Sequence, residues 1–437
     1  MQNELDILGQ DLTLPCGAKL KNRICKAAMT EGLAGPDNTA NARHTTLYKR
    51  WGQSGAGVLI TGNVLVDRWH LERGGNIAID GPQSKGALAS LTEMASAAKA
   101  DGAHIWMQIN HPGRQTQKMI NKHPKAPSDI GLKMGNGRFG KPTPMTDDEV
   151  EHTIDAFVLA SKTAEQCGFD GVQLHAAHGY LASQFLSPLS NIRTDKWGGS
   201  LEGRARFIME IIRRTRAAVD PAFAVTVKLN SSDFQKGGFS DEDSVTVANW
   251  FQQEGVDLIE VSGGNYEQPR MLDFDRKDPK VDAANVAKKR QSTIKREAYF
   301  LDFVPQLRQS VTIPVMVTGG FRSTAAMARA ITADGIDMVG LARPFCTDIN
   351  IAAQLLNGEV SQIKDWSDQI RIGRGLLSPT SPISFLRDLN AWGELGWYYE
   401  QIYRIADGLE PDYDLSGFKA LLAFDKTEGR AAKALVR

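Results

Sequence analysis

Eight short apolar runs recur along the chain, and most of them are followed by a stretch in which apolar residues repeat at helical spacing. Unbroken rather than alternating apolar runs are typical of parallel strands that are covered on both faces. A strand followed by a helix, repeated eight times, predicts a closed (β/α)8 TIM barrel. The predicted strands are residues 24–29, 57–62, 104–110, 171–175, 224–230, 257–262, 313–319 and 337–342, and the clearest helical stretches are 146–166, 201–219, 241–254 and 323–333.

An open doubly wound sheet is the competing architecture for such a pattern. No Gly-x-Gly-x-x-Gly follows the first predicted strand, so the dinucleotide-binding turn of that fold is missing. A Gly-x-Asp unit recurs instead at residues 168–170, 255–257 and 335–337, each between the end of a helical stretch and the start of an apolar run. The glycine can end a helix in the left-handed conformation, and this weak repeat therefore favours the barrel.

Three stretches are additional to the strand–helix repeat of the predicted barrel. Residues 111–144 and 263–292 follow the third and sixth predicted strands, and their place at strand ends predicts lids or pocket walls. We therefore expect the barrel to span residues 1–360 and a helical C-terminal extension to span residues 361–437. The rings of the extension must be buried on its own barrel or on a neighbouring subunit, and they are Trp392, Trp397, Tyr398, Tyr399 and Tyr403.

The amino-acid composition limits the classes of partner that we expect for this protein. The chain has 437 residues, and its 51 lysines and arginines balance 51 aspartates and glutamates, which argues against nucleic-acid or membrane-surface binding. Its four cysteines lie far apart, without the spacing of a zinc or iron–sulfur site. The first residues do not resemble a secretory leader, and no apolar run is long enough to span a membrane. We expect a soluble, cytoplasmic protein that acts on small molecules, with a homo-oligomer left open.

In a barrel, polar residues at the carboxyl ends of strands indicate the site. The set contains neither a carboxylate pair nor a nucleophile beside a base, which weakens the case for hydrolysis. Gly319 and Gly320 before a helix, with Arg343 on the adjacent strand, favour a phosphate site over a tight turn with a surface ion pair. The strand-end residues are Thr30, Gly62, Asn63, Gln108, Asn110, His175, His178, Tyr180, Lys228, Ser262, Gly319, Gly320, Phe321, Arg322, Ala342 and Arg343.

His175, His178 and Tyr180 leave the fourth strand together. One interpretation is that the two histidines bind a metal, but no third ligand residue lies at the spacing that a metal site needs. A pair of structural histidines is another. The third reading is a small-molecule site in which two imidazole N–H groups bind an anionic or carbonyl oxygen and Tyr180, with an ordinary pKa of ~10, donates a proton.

Residues 175–207 read HAAHGYLASQFLSPLSNIRTDKWGGSLEGRARF, a long and specific run. This run resembles the signature of the old yellow enzyme family, the FMN-dependent NAD(P)H:flavin oxidoreductases and ene reductases. The resemblance covers roughly residues 5–360 and extends to KNRI at 21–24, MQINHPGR at 107–114, VTGGF at 317–321 and GLARPF at 340–345.

The resemblance implies an eight-stranded barrel with FMN across its mouth and NADH or NADPH as electron donor. It implies that His175 and His178 bind a substrate carbonyl oxygen while Tyr180 protonates the α-carbon, in ping-pong reduction of activated alkenes. Thr30 matches a position that hydrogen-bonds the O4 edge of the flavin, and Lys228 stands where many members carry Arg. The implied cofactor contacts are Ala28, Met29, Thr30, Gly62, Gln108, Lys228, Gly320, Phe321, Ala342 and Arg343, with no metal.

Some positions depart from the family pattern. The residues after Thr30 read EGLAG and lack the Tyr of some bacterial members, and Trp197 and Gly203 stand where Tyr and Asn are more common. No cysteine follows Cys346, so the cluster of the iron–sulfur relatives is excluded. An oxidase or demethylase on the same barrel is an alternative function, and a flavin-dependent RNA uridine reductase is disfavoured by the balanced charge.

Overall fold

The computed structural model describes residues 2–133, 137–264 and 300–436. Eight parallel strands form a closed ring, because β8 pairs with β1 and every other strand pairs with the next along the chain. The predicted barrel is therefore confirmed. The strands are β1 Ile24–Lys26, β2 Val58–Ile60, β3 His104–Asn110, β4 Gly171–Ala176, β5 Ala224–Asn230, β6 Leu258–Ser262, β7 Val315–Thr318 and β8 Met338–Leu341.

Helices surround the ring, and the four clearest predicted stretches are helical in the structure. Each of these four begins just after a Ser or Thr whose side chain accepts a hydrogen bond from a backbone N–H of the first turn. The helices are α1 Gln2–Leu8, α2 Ala42–Gly52, α3 Lys85–Lys99, α4 Asp147–Gln166, α5 Leu181–Leu186, α6 Leu201–Ala218, α7 Asp241–Gln253, α8 Val304–Leu307, α9 Thr324–Thr332, α10 Pro344–Thr347, α11 Ile351–Asn357, α12 Ser384–Ala406 and α13 Gly417–Ala434.

The Gly-x-Asp repeat closes the amino-terminal end of the barrel. Its glycines have φ of 81°, 81° and 84°, the left-handed conformation expected for them. Its aspartates each accept a backbone N–H from the strand before: Asp170 from Ile105 (2.9 Å), Asp257 from Val225 (2.8 Å) and Asp337 from Val315 (2.8 Å). The repeated carboxylate thus ties neighbouring strands together, a structural role.

The barrel interior is filled below the mouth by apolar side chains. A hairpin of Leu12–Thr13 and Lys19–Leu20 packs Leu12 and Leu20 into a cluster with Trp106 and other strand residues. A larger core lies between the strands and the surrounding helices. Because the amino-terminal end is plugged and tied, an opening for ligands is left at the carboxyl ends of the strands.

The extension lies on its own barrel, which decides between the two burial sites that the sequence left open. The guanidinium of Arg73, in the loop after β2, is buried between the two last helices. Its Nε donates to Glu428 Oε1 of α13 at 3.0 Å, its Nη2 donates to the Tyr403 hydroxyl of α12 at 3.0 Å, and it lies 3.9 Å from the ring centre of Tyr399. Its division from the barrel at residue 360 remains a prediction.

The loop of residues 111–144 also meets the extension. The Arg138 guanidinium lies 4.0 Å from the ring centre of Trp392 on α12, a cation–π contact. The second predicted lid, 263–292, lies outside the described residues apart from 263 and 264.

Candidate active site at the mouth of the barrel

A chain of hydrogen bonds crosses the barrel interior beneath the mouth. Gln108 on β3 donates to Gln173 on β4 (2.7 Å), Gln173 donates to Glu260 on β6 (2.7 Å), and Glu260 forms an ion pair with Lys228 on β5 (3.0 Å). All four side chains are buried. A buried ion pair is costly to desolvate, so this pair is weak evidence for a stabilising role.

Sequence reasoning found Gln108 and Lys228 but missed Gln173 and Glu260. The missed pair carried a signal, because each is a polar residue inside an otherwise apolar strand. A polar side chain in a buried strand needs partners within the protein, and the structure supplies them.

The structure brings His175, His178 and Tyr180 together. The ring centre of His175 lies 5.0 Å from that of His178 and 4.8 Å from that of Tyr180. Burial lowers the pKa of both histidines well below the ordinary value, and the cation of Lys228 lowers each further. Both imidazoles are therefore neutral at pH 7, and each carries one N–H.

The hydrogen bonds assign the proton of His175. Its Nδ1 accepts the backbone N–H of Ala177 at 3.2 Å, so the proton of the neutral ring is on Nε2. His178 Nε2 lies 2.6 Å from the hydroxyl of Ser262 at the end of β6. Ser262 is thus a partner of the predicted pair.

His178 has an unusual backbone. Its φ is 60°, a left-handed conformation that costs a non-glycine residue ~1 kcal/mol or more. Its N–H donates to Asn230 Oδ1 at 3.1 Å and its carbonyl accepts from Gln115 Nε2 at 3.1 Å. Such a conformation persists only where the surroundings hold it, and these two bonds do so.

Thr30, Asn63 and Glu72 form a polar cluster where β1 and β2 end. Thr30 donates to Glu72 Oε2 at 2.8 Å, and Asn63 Nδ2 donates to the same oxygen at 2.6 Å. Gly62 is needed here, because a Cβ on it would lie 2.5 Å from the Met29 carbonyl oxygen and 2.6 Å from Thr30 Cα. Glu72 was not among the residues predicted for the site, and Ala28 and Met29 lie half-buried beside the cluster.

The turn after β7, where the sequence predicts a phosphate site, has open space beside it. Gly319 and Gly320 have φ of 110° and 82°, and a Cβ on Gly319 would meet no atom within 4 Å. Phe321, next in the chain, is buried. The open space beside Gly319 suits a bulky anion, to which backbone N–H groups of the turn could donate.

Arg343, which follows Ala342 at the end of β8, contacts the extension. Its Nη1 lies 3.2 Å from Glu394 Oε1 and 3.4 Å from the Ser367 hydroxyl, and its guanidinium lies 5.3 Å from the ring centre of Tyr398. An anion bound here would share this guanidinium with Glu394.

Asn110, at the end of β3, has a buried side-chain amide without a partner in the part of the chain that the structure describes. It is fully buried, and neither its amide nitrogen nor its amide oxygen finds a hydrogen-bond partner among the described residues. An unpaired buried amide is expensive, about 1–3 kcal/mol for each lost partner.

A second group of histidines has the composition of a metal site. Asp67, His70 and His111 bring their ligand atoms within 4.8 Å of one another. However, His70 Nε2 accepts the N–H of Lys125 (2.8 Å) and His111 Nδ1 accepts the N–H of Gly113 (3.0 Å). The nitrogens directed at Asp67 therefore carry protons in the neutral rings and, as arranged, offer no lone pair to a metal.

A family model described as "NADH:flavin oxidoreductase / NADH oxidase family" matches residues 14–361. The chain belongs to this family. The resemblance to the old yellow enzymes that the sequence showed is thus confirmed. The protein is an FMN-dependent NAD(P)H oxidoreductase.

Two curated relatives are similar over most of this chain. The chain is 36% identical over 353 residues to the NADH-dependent flavin oxidoreductase nadA of Aspergillus parasiticus, covering 78% of this chain and 76% of that protein. It is 31% identical over 353 residues to the NADH oxidase of Thermoanaerobacter brockii, covering 79% of this chain and 50% of that longer protein.

Solved structures share the fold. The old yellow enzyme homologue from Zymomonas mobilis superposes with a TM-score of 0.66 at 19% identity, over 82% of this chain and 94% of that one. Morphinone reductase superposes with a TM-score of 0.64 at 21% identity, over 82% and 91% of the two chains. No helix within the described residues is long and apolar enough to cross a membrane.

The residues at the mouth fit FMN. The pyrimidine edge of a flavin carries both hydrogen-bond acceptors and a donor, and the amide of Gln108 offers both kinds of group. Lys228 supplies a buried cation, and the open turn at Gly319 and Gly320 supplies space for a phosphate. The mouth thus offers a cation for the ring and space for the phosphate.

Proposed function

We propose that the enzyme uses NADH or NADPH to reduce the C=C bond of α,β-unsaturated carbonyl compounds and similar activated alkenes in a ping-pong reaction. The observation that supports this most directly is the cluster of two neutral imidazoles beside a phenol, His175, His178 and Tyr180. FMN, when bound, would supply the hydride chemistry that links NAD(P)H to the alkene.

His175 and His178 bind the carbonyl oxygen in this proposal. Neutral N–H groups that are already held in place stabilise the negative charge that develops on that oxygen when the β-carbon accepts a hydride. Both imidazoles are also neutral before the substrate binds, because an imidazolium next to Lys228 would be destabilised in this buried position.

Tyr180 donates the proton to the α-carbon. Its side chain is 4% exposed, so the proton is delivered from the protein rather than from bulk water. The remaining assigned residues hold the cofactor in this proposal: Ala28, Met29, Thr30, Gly62, Gln108, Lys228, Gly320, Phe321, Ala342 and Arg343. We further propose a cytoplasmic setting, with small molecules rather than nucleic acid or membrane as partners.

Two anaerobic half-reactions test the proposal. NADH or NADPH should bleach the flavin absorbance of the purified holoenzyme within seconds, and 2-cyclohexen-1-one should restore it with one cyclohexanone formed per flavin. Reduced enzyme that is reoxidised by oxygen but by no member of a panel of enones would identify an oxidase. Enzyme that only a reduced organic substrate can bleach would identify a dehydrogenase or demethylase.

A further inference from the structure

The Ser262 hydroxyl lies against one nitrogen of the His178 ring. The distance to His178 Nε2 is 2.6 Å, and this nitrogen is the only hydrogen-bond partner of the hydroxyl within the described residues. Ser262 is buried, so its single proton needs an acceptor inside the protein. If Nε2 carried the ring proton, it would donate to the hydroxyl oxygen, and no described group would accept the hydroxyl proton. The arrangement that pairs both groups is therefore donation from Ser262 to Nε2.

The other nitrogen of the ring then carries its proton. His178 is neutral and has one N–H, so a proton that is absent from Nε2 is on Nδ1. Nδ1 forms no hydrogen bond with any residue that the structure describes. His175 has the opposite arrangement, because its Nδ1 accepts the N–H of Ala177 and its proton is on Nε2. Each ring thus uses one nitrogen as an acceptor and keeps one N–H for a ligand.

The barrel itself holds His178 in this orientation. Asn230 and Ser262 are the last residues of β5 and β6, and they lie opposite each other in the parallel register. Asn230 Oδ1 accepts the His178 backbone N–H at 3.1 Å, while Ser262 contacts the ring. The Ser262 carbonyl accepts the N–H of Ser231 at 2.7 Å, which fixes Ser262 in turn. Groups held by strands keep their direction better than groups held by loops.

We propose that Ser262 is a positioning residue for the reaction: its hydroxyl donates to His178 Nε2 and so keeps the His178 proton on Nδ1, available to the substrate oxygen. The inference rests on the proposed function of the histidine pair, and it adds the nitrogen through which His178 acts and the residue that selects it. With its proton on Nε2, the ring would present the lone pair of Nδ1 instead of a donor. A lone pair does not stabilise an oxygen that gains negative charge, whereas an N–H group does.

Nitrogen NMR of the oxidised holoenzyme, with histidine labelled in the ring, measures where the proton is, because protonated and unprotonated ring nitrogens differ widely in chemical shift. The His178 signals are those lost in His178→Ala. We expect a proton on Nδ1 in the wild type, a mixture of both tautomers in Ser262→Ala, and the wild-type pattern again in Ser262→Thr, which keeps a hydroxyl. Ser161→Ala is the matched control, because it removes a buried hydroxyl that donates to the Phe157 carbonyl at 2.9 Å on α4.

Two NMR results would overturn the proposal: a proton on Nε2 in the wild type, or an unchanged proton on Nδ1 in Ser262→Ala. If Ser262→Ala does not fold, the wild-type spectrum still decides, since a proton on Nδ1 supports the proposal and one on Nε2 refutes it. These spectra need no alkene, so an enzyme that reduces no enone gives the same answer.

A titration with phenol tests the use of that proton. Phenol should bind to Ser262→Ala about fivefold more weakly than to the wild type, the effect of weakening one neutral hydrogen bond, and Ser262→Thr should recover most of the affinity. Unchanged phenol affinity beside a changed tautomer would remove His178 from the oxygen-binding pair. That result would refute the proposed function of His178 while the proton assignment stands, so the two failures are distinguishable.

Discussion

His175 and His178 follow β4, whereas His70 and His111 follow β2 and β3, and the two pairs differ in the groups that face their nitrogens. Beside the first pair lies the cation of Lys228, and the pKa values of both rings are lowered well below the ordinary value. Between the second pair lies Asp67, whose Oδ2 is 2.6 Å from His70 Nδ1 and 3.9 Å from His111 Nε2.

The difference shows why residue type alone does not identify a site. In the second pair, backbone N–H groups of Lys125 and Gly113 occupy one nitrogen of each ring, and the other nitrogen faces the carboxylate. All four nitrogens are thereby used within the protein. In the first pair, Nδ1 of His175 is bound to the backbone and its Nε2–H remains for the substrate oxygen of the proposed reaction.

Replacing both His175 and His178 with Ala should give the largest effect. Removing one oxyanion donor costs ~10²–10³ in rate, so the double variant should reduce enones at least ~10³-fold more slowly. It should also lose the long-wavelength band that phenols give when they stack on such flavins. His152→Ala, an exposed histidine on α4, is the control. Unchanged phenol binding in the double variant would contradict the oxyanion role.

Tyr180→Phe should slow alkene reduction by ~10²-fold or more while flavin reduction by NAD(P)H stays near normal. The reason is that only the second half-reaction needs a proton on carbon. Stopped-flow measurement of both half-reactions checks the split. Tyr413→Phe, which removes a hydroxyl bound to the Thr347 carbonyl at 2.6 Å, is the matched control. Equal losses in both half-reactions would rule Tyr180 out as the acid.

Asp67→Asn should lower the free energy of unfolding by about 1–3 kcal/mol without a comparable loss of turnover. The carboxylate accepts the His70 N–H and the Trp69 backbone N–H (2.7 Å), and an amide replaces a charge-assisted bond with a neutral one. Urea unfolding of the holoenzyme gives the value. Asp80→Asn, which breaks the more exposed Arg68 pair, should cost less. A large loss of alkene reduction with unchanged stability would instead show that Asp67 takes part in the reaction.

The pH dependence of stability should report the buried histidines together with Asp67, since burial lowers the pKa of His175 and His178 as well as that of His111. Burial lowers the pKa of His111 to about 3, and hydrogen bonding to His70 lowers that of Asp67 to about 2 against the opposing effect of burial. Both folded values lie below the unfolded ones of ~6.5 and ~3.9, so the unfolded chain binds more protons in acid. Stability should therefore fall from pH ~6.5 toward 3, with a further loss below pH ~4 that Asp67→Asn lacks. Urea midpoints at pH 7, 5 and 3.5 measure this, and a flat profile would contradict it.

The smallest effect should come from added metal. Zinc at micromolar concentration should raise the melting temperature of the wild type no more than that of His70→Ala, because the nitrogens facing Asp67 are protonated donors. A zinc-dependent rise that needs His70 would show that the ring protons are displaced and that the cluster is a metal site.

The sequence predicts the barrel and the mouth well because strands repeat at regular intervals and a strand end has a fixed place on the ring. Thr30, Gln108, His175 and Lys228 were found for that reason. Gln173 and Glu260 were missed because a polar residue inside an apolar run was read as part of the strand. Residues in loops are harder to place, since the direction of a loop depends on contacts that no local pattern encodes.

Contacts between distant segments could not be predicted at all. Glu394 contacts Arg343 although 51 positions separate them in the sequence, and Glu428 contacts Arg73 across 355 positions. Helix periodicity predicts that the extension has an apolar face, but it does not say which part of the barrel that face covers.

The Arg73–Glu428 pair has a consequence for any attempt to shorten or transplant this enzyme. A chain trimmed to residue 360 would retain all eight strands, yet Arg73 would lose both Glu428 and the two tyrosines that contact its guanidinium. Glu72 precedes Arg73 in the chain, so we expect such a truncation to disturb the polar cluster at the ends of β1 and β2 as well.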